Sequence, residues 1–155
     1  MKILWLNTYQ GIHQSNKPNQ FTQILYYAKF LHKSWAINKI TGWLIDLIIS
    51  KTNFDFDYII PVPCTRSRFC LSFLLTKNIA SFFGFKFIQD FYEKPKKYKL
   101  NSKRILLIDD VIQTGKTLSV LTGFINNYYP TADITFIAYL ASPIFQSRIY
   151  ENPTL

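Results

Sequence analysis

The chain has 155 residues, of which 48% are hydrophobic, so it is long enough and apolar enough to fold as one domain around a core. Its 18 basic and 9 acidic residues give a net charge of +9, which favours anionic partners: phosphates, nucleotides, nucleic acid or an anionic membrane surface. No stretch reaches the roughly eighteen consecutive apolar residues of a membrane-spanning helix, so we expect no membrane span.

The two cysteines and two histidines are too few for a cysteine-rich zinc site. Cys64 and Cys70 are not spaced as a Cys-x-x-Cys motif, and the simplest interpretation is a pair of reduced thiols in an intracellular protein. The start of the chain, residues 1–7, is too short for the core of a signal peptide and lacks a small-residue cleavage site. We therefore expect a cytoplasmic location.

The first third of the sequence predicts one strand and two helices. A strand at 2–6 precedes a polar loop, and helical patterns follow at roughly 21–32 and 36–50. The second pattern has one apolar face, formed by Ile37, Ile40, Leu44, Leu47 and Ile48. We treat residues 1–20 as an N-terminal extension of a single domain that spans 1–155.

The rest of the sequence alternates between strand and helix. Strands are predicted at 58–62, 86–89, 104–108 and 134–140, and helices at 69–83 and 116–129. This alternation predicts an α/β fold, with a mainly parallel central sheet of four or five strands and helices on both faces. Ligands bind such sheets beyond the carboxyl ends of the strands, so chemistry is expected there.

One strand end combines acidic residues with a loop suited to phosphate. A buried strand leads to Asp109 and Asp110, whose carboxylates can accept hydrogen bonds from sugar hydroxyls. In the loop that follows, Gly115 allows a tight turn and a close approach to a ligand, neighbouring threonines offer hydroxyls, and a helix start presents its amides. Diol recognition beside a phosphate cradle is the chemistry of a ribose 5-phosphate.

This segment also has two other interpretations. An Asp-Asp pair can form a turn and Thr-Gly-Lys-Thr can cap a helix, but their combination in this order after an apolar strand favours a ligand site. The end of the loop also looks like the end of a P-loop. That motif requires a glycine at the position that Asp110 occupies, so we reject an NTPase site.

The segment resembles the phosphoribosyl pyrophosphate signature of type I phosphoribosyltransferases: an apolar strand, two acidic residues and a Thr-Gly-x-Thr loop. The resemblance implies that Asp109 and Asp110 position the ribose, take part in catalysis and hold Mg²⁺. It also implies a set of ligand-binding residues: Gln113, Thr114, Gly115, Lys116 and Thr117.

A second resemblance is to ComF-type proteins, which are competence-associated members of the same fold. Residues 57–63, Asp-Tyr-Ile-Ile-Pro-Val-Pro, look like their Pro-Val-Pro turn, and Tyr-Tyr-Ala-Lys-Phe at 26–30 is a weaker match. The resemblance covers residues 20–142 and implies that the turn holds pyrophosphate through backbone amides and guanidinium groups. The residues concerned are Cys64, Thr65, Arg66 and Arg68.

The chain also departs from those families. The N-terminal zinc-binding cysteine module of ComF-type proteins is absent, and Leu-Ser-Phe-Leu-Leu at 71–75 replaces their Arg-Gly-Phe-Asn-Gln. Only 92–103 remains where the wider fold has a mobile lid and a catalytic basic residue. Two functions therefore stay open: transfer of the phosphoribosyl group to an unknown acceptor, and non-catalytic binding of a phosphoribosyl ligand in DNA uptake.

The lysine-rich stretch at 93–99 has three interpretations. It can be a solvated loop, a shortened lid over pyrophosphate, or a weak nucleic-acid contact in which Tyr92 and Tyr98 stack on bases. The expected partners are thus phosphoribosyl pyrophosphate or a ribose 5-phosphate ligand, nucleic acid bound weakly, and a second copy of the chain in a homodimer.

Overall fold

Five parallel strands form the centre of the structure, a computed structural model that describes residues 1–9, 18–64 and 69–151. The strands are β1 (Lys2–Thr8), β2 (Tyr58–Pro61), β3 (Lys86–Phe87), β4 (Arg104–Ile112) and β5 (Asp133–Ala141). Their order in the sheet is β1-β5-β4-β2-β3, and every neighbouring pair is parallel. The prediction of a single α/β domain with a parallel sheet is confirmed.

Five α-helices and one short 3₁₀ helix surround the sheet in the described part of the chain. The α-helices are α1 (Gln20–Lys29), α2 (Ser34–Lys51), α3 (Leu71–Phe83), α4 (Lys116–Tyr128) and α5 (Pro143–Glu151), and the 3₁₀ helix is Pro95–Lys97. None of these helices is long and apolar enough to cross a bilayer.

Alternate residues of β4 face two separate hydrophobic cores, as the twofold period of a strand requires. Leu106 and Ile108 pack with α1, α2 and α3 on what we call the first face of the sheet. Ile105 and Leu107 pack with α4, α5 and the 88–100 region on the second face. Helices therefore cover both faces, as predicted.

The chain order creates a crevice between β2 and β4. These strands are neighbours, but β2 continues into α3 on the first face and β4 continues into α4 on the second face. The two connections diverge at the carboxyl edge of the sheet and leave an opening between them, which is the usual ligand position in open parallel sheets.

All five strands differ somewhat from their predicted extent, and the differences at β4 and β1 bear on the site and on the domain. The strand predicted to end at residue 108 continues, because Val111 and Ile112 still pair with Leu140 and Ala141 of β5. Asp109 and Asp110 thus lie inside β4, although beyond the last residue of β4 that pairs with β2. At the other edge, β1 pairs along its length with β5, so the start of the expected N-terminal extension is a strand of the sheet.

Candidate functional site

A cleft of about 630 Å³ opens at the carboxyl ends of β2 and β4. Its first-face side is formed by the end of α1, the turn after β2 and the start of α3. Its second-face side is formed by the loop 113–117 and the start of α4, with the two aspartates between the sides. The residues with chemical function that line it are Lys29, Cys64, Asp109, Asp110, Gln113, Thr114, Gly115, Lys116 and Thr117.

The start of α4 presents free backbone donors to this cleft. Gly115 is the N-cap and has a φ of 79°, in the left-handed region that glycine adopts without strain. The amide of Ser119 donates to the Gly115 carbonyl over 2.9 Å, whereas the amides of Thr117 and Leu118 have no acceptor among the described residues. Together with the helix dipole these amides form a site for an anion.

The loop before α4 is held from behind by α5. The Ser142 amide donates to the Ile112 carbonyl over 2.8 Å, and the Arg148 guanidinium donates to the Thr114 carbonyl over 2.9 Å. A Cβ added at Gly115 would lie 2.9 Å from the Phe145 ring. The close approach that requires a glycine here is therefore the contact with Phe145, and the amides are positioned before any ligand arrives.

The two aspartates have different surroundings. Asp109 accepts a hydrogen bond from the Asp110 amide over 2.8 Å, and burial raises the pKa of its carboxyl well above the usual range, with the negative charge of Asp110 adding to the shift. Asp110 is ion-paired, with its Oδ2 2.6 Å from the Lys29 ammonium. The Asp109 carboxyl is therefore desolvated, whereas Asp110 has a cation beside it.

Two residues near the aspartates were not predicted there: Lys29 had no assigned role, and Tyr92 was named only as a residue that could stack on bases. Lys29 belongs to the weakly matching stretch 26–30, and only its position in the last turn of α1 could have suggested a cleft residue. The Tyr92 hydroxyl is buried and has no hydrogen-bond partner among the described residues. Burial raises the pKa of Tyr92 above its usual range, and the charge of Asp109 raises it further, so this phenol stays protonated beside the aspartate.

The turn after β2 carries a disulfide. Cys64 lines the cleft and is bonded to Cys70, with 5.6 Å between their Cα atoms. The expectation of two reduced thiols is thus wrong for this structure: the two cysteines lie at bonding distance although their sequence spacing is not Cys-x-x-Cys. Thr65, Arg66 and Arg68, the other predicted pyrophosphate ligands, lie outside the described residues.

The β3–β4 segment, residues 88–103, packs on the second face instead of covering the cleft. Phe91 and Leu100 are fully buried in the second-face core. The hydroxyl of Tyr129, the C-cap of α4, donates to the carbonyls of Pro95 and Tyr98. No residue of the segment lines the cleft, so the structure shows the lysine-rich stretch docked on the domain and not closed over it as a lid.

The aspartate pair suits the Mg²⁺ that the resemblance implies. No group of three or more His, Cys, Asp or Glu side chains gathers within the described ranges. Magnesium sites of phosphate-binding proteins need no such group, because one or two carboxylates and the phosphate oxygens of the ligand complete them together with water. Asp109 and Asp110 border one cleft and repel each other electrostatically, and a cation relieves that repulsion.

No family model and no curated protein sequence matches the chain, but solved structures do. A purine phosphoribosyltransferase from Pyrococcus horikoshii Ot3 has a TM-score of 0.51 and 16% identity, over 93% of this chain and 81% of that chain. Adenine phosphoribosyltransferase from Saccharomyces cerevisiae has a TM-score of 0.56 and 16% identity, over 78% and 76% of the two chains.

A third match carries ligands. Adenine phosphoribosyltransferase from Trypanosoma brucei, in complex with AMP, pyrophosphate and ribose-5-phosphate, has a TM-score of 0.54 and 13% identity over 83% of this chain and 81% of that chain. Identities this low establish the architecture alone, and no family model or curated sequence supports the finer resemblance to ComF-type proteins. The chain therefore has the fold of the type I phosphoribosyltransferases.

Proposed function

We propose that this protein binds phosphoribosyl pyrophosphate in the cleft beyond β2 and β4 and transfers the phosphoribosyl group to an acceptor. The observation that carries the proposal is the unpaired amides of Thr117 and Leu118, which face the same cleft as Asp109 and Asp110. An anion site and a diol site on one short stretch of chain match the two ends of a ribose 5-phosphate.

Each part of the ligand has a partner in this arrangement. The 5-phosphate receives the amides at the start of α4 and the hydroxyl of Thr117. The ribose hydroxyls donate to the carboxylates of Asp109 and Asp110. The pyrophosphate then extends towards the first-face side of the cleft, where the turn after β2 presents Cys64.

The proposed reaction is a substitution at C1 of the ribose. The bond from C1 to the pyrophosphate oxygen breaks and its electron pair leaves with the pyrophosphate, while a lone pair on an acceptor nitrogen forms the new bond to C1. Any proton on that nitrogen passes to water. The carboxylates hold the ribose in place and favour the positive charge that develops on the ring. A Mg²⁺ ion held by Asp109 or Asp110 together with phosphate oxygens would add positive charge beside the leaving group.

A non-catalytic ligand-binding protein is the second candidate, and the position of the β3–β4 segment favours it. That segment is docked on the second face through Phe91 and Leu100, and so contributes no basic residue to the cleft. A site of this kind would bind the ligand without excluding water from it, which weakens catalysis more than binding.

Calorimetry with phosphoribosyl pyrophosphate and Mg²⁺ tests the binding site. Thr117→Val keeps the side-chain shape and removes the hydroxyl, and should weaken binding roughly tenfold or more, the effect of one hydrogen bond to a charged group. Thr122→Val makes the same change further along α4, outside the cleft, and should leave binding unchanged. Equal affinities for wild type and Thr117→Val would show that α4 does not hold the phosphate.

A pyrophosphate-release assay with a panel of nucleobases then separates the two candidates. Release that depends on one base identifies a transferase and its acceptor. Tight binding with no release for any base, and none in water, would establish the binding protein instead.

A further inference from the structure

The positively charged side chain of Lys29 lines the cleft and contacts Asp110. It lies in the last turn of α1, and its ammonium is 2.6 Å from Asp110 Oδ2. The Lys29 side chain is 39% exposed, while that of Asp110 is 11% exposed, so the carboxylate is fixed in the sheet and the ammonium remains within reach of solvent. A long flexible side chain in this setting can leave its partner without disturbing the core.

The charges around the cleft are divided between its two sides. The second-face side has the amides of α4 and Lys116, which suit one phosphate. On the first-face side, Lys29 is the basic residue found among the described cleft residues. If one anionic end of a ligand binds at α4, the other end therefore lies on the first-face side of the cleft, near Lys29.

The lysines of the β3–β4 segment do not take the place of Lys29 in this structure. Lys94 and Lys97 lie 3.7 Å and 3.2 Å from the carboxylate of Asp90, and neither lines the cleft. A lid would place a basic residue next to the pyrophosphate leaving group. In this chain the basic residue on that side of the cleft is Lys29, which belongs to α1.

We propose that Lys29 exchanges one anionic partner for another when ligand binds. Without ligand, its ammonium neutralises Asp110. When a pyrophosphate-bearing ligand enters, the ammonium moves to the pyrophosphate oxygens, and Asp110 becomes free for the ribose hydroxyls or for a metal ion. The Lys29 ammonium then stabilises the negative charge that develops on the departing pyrophosphate. This inference rests on the proposed function and assigns to that site its leaving-group cation.

Calorimetry with two separate probes, inorganic pyrophosphate and ribose 5-phosphate, tests the exchange. Lys29→Gln should weaken pyrophosphate binding roughly ten- to a hundredfold, as expected for a lost charged hydrogen bond. The same variant should bind ribose 5-phosphate as wild type does, or slightly better. Lys29→Arg should keep pyrophosphate affinity within about threefold of wild type. Lys33→Gln, an equal change in net charge at an exposed position outside the cleft, should change neither affinity.

A second comparison separates the exchange from a purely structural ion pair. In an Asp110→Asn background Lys29 has lost its resting partner, yet Lys29→Gln should still weaken pyrophosphate binding about tenfold or more. If the effect of Lys29→Gln disappears in that background, or if both probes weaken equally, Lys29 only holds Asp110 and the inference is wrong. If wild type binds neither probe, the proposed function itself fails, which is a distinct result.

Discussion

Two polar, lysine-containing segments flank β4, one before it and one after it, and the structure gives them opposite roles. The loop 113–117 is fixed from behind by α5 and leaves amides of α4 without acceptors at the edge of a cleft. The β3–β4 segment carries more lysines, but it does not line the cleft: the Asp90 carboxylate pairs with Lys94 and Lys97, and the Tyr129 hydroxyl bonds to the backbone of the segment. Unpaired amides that face a cleft therefore mark the ligand site better than the density of positive charge does.

The largest expected effect is on the loop 113–117, through Gly115→Ala. The substitution places a Cβ at a φ of 79° and 2.9 Å from the Phe145 ring, so the backbone or the ring must move. We expect a loss of roughly 2–4 kcal/mol in the free energy of unfolding, from left-handed strain and overpacking together. Binding of phosphoribosyl pyrophosphate should fall at least about a hundredfold, because the amides of α4 move with the loop.

Gly123→Ala is the control for that change. Gly123 lies in the interior of the same helix, and a Cβ added there meets no atom within 4 Å. Alanine should therefore raise stability by roughly 0.5–1 kcal/mol and leave ligand affinity unchanged. Urea unfolding and calorimetry on both variants make the comparison, and similar behaviour of the two would contradict the described conformation of Gly115.

Tyr129→Phe tests the docking of the β3–β4 segment. The Tyr129 hydroxyl shares its proton between the carbonyls of Pro95 and Tyr98, so its removal takes a donor from a partly buried contact, although the Pro95 carbonyl still accepts from the Tyr98 amide. We expect unfolding free energy to fall by about 1–2 kcal/mol, with ligand affinity unchanged because the segment does not line the cleft. Tyr128→Phe, which removes the neighbouring and more exposed hydroxyl, should have little effect on either quantity. A loss of affinity in Tyr129→Phe alone would show that the segment acts on the cleft.

The two aspartates should differ in their effect on stability. Asp110→Asn removes the ion pair with Lys29, which is partly exposed, so the loss should be at most about 1 kcal/mol. Asp109→Asn should cause no loss at neutral pH. The pKa of Asp109 is raised in the folded protein. The wild type therefore loses stability as the pH rises from the ordinary aspartate pKa of 3.8 to the raised pKa of the folded protein. Asparagine does not titrate, so the variant does not lose this stability.

Thermal unfolding at neutral and acid pH checks this difference. The advantage of Asp109→Asn should disappear below the ordinary aspartate pKa, where the carboxyl is protonated in both the folded and unfolded chain. Affinity for phosphoribosyl pyrophosphate should fall in both variants, since each loses a charged acceptor for the ribose hydroxyls. An Asp109→Asn protein that is less stable and binds normally would mean that the residue shapes the turn and does not bind ligand.

The sheet could be predicted from the sequence because its signals are local. The apolar run that begins β4, the breakers around β2 and the periodicity of α2 each predict one element, and alternation of elements predicts a parallel sheet. The end of β4 was not predictable in the same way. Asp109 and Asp110 are polar, yet they remain in the strand because Val111 and Ile112 find partners on β5. That pairing depends on a strand more than twenty residues later in the chain.

The site was predictable only where one segment supplies it. Thr114, Gly115 and Thr117 follow the aspartates in sequence, so the pattern is visible without a structure. Lys29 reaches Asp110 from a helix about eighty residues earlier, and no local pattern connects the two. The Cys64–Cys70 bond likewise depends on the distance between the two Cα atoms in the fold, which sequence spacing does not determine.

The smallest expected effect is on the lysines that made the β3–β4 segment a candidate lid. Lys96 and Lys99 are exposed and make no ion pair with any described residue, so the double variant Lys96→Gln, Lys99→Gln removes charge and little else. Its unfolding free energy should stay within about 0.5 kcal/mol of wild type, as for most surface substitutions. Its affinity for phosphoribosyl pyrophosphate should stay within about twofold, because a docked segment brings neither lysine to the ligand.

A tenfold loss of affinity at unchanged stability would mean that the segment leaves the second face and closes over the cleft when ligand binds. Binding of single-stranded oligonucleotides over a salt series completes the test, since a nucleic-acid contact through these lysines would weaken and lose part of its salt dependence in the variant.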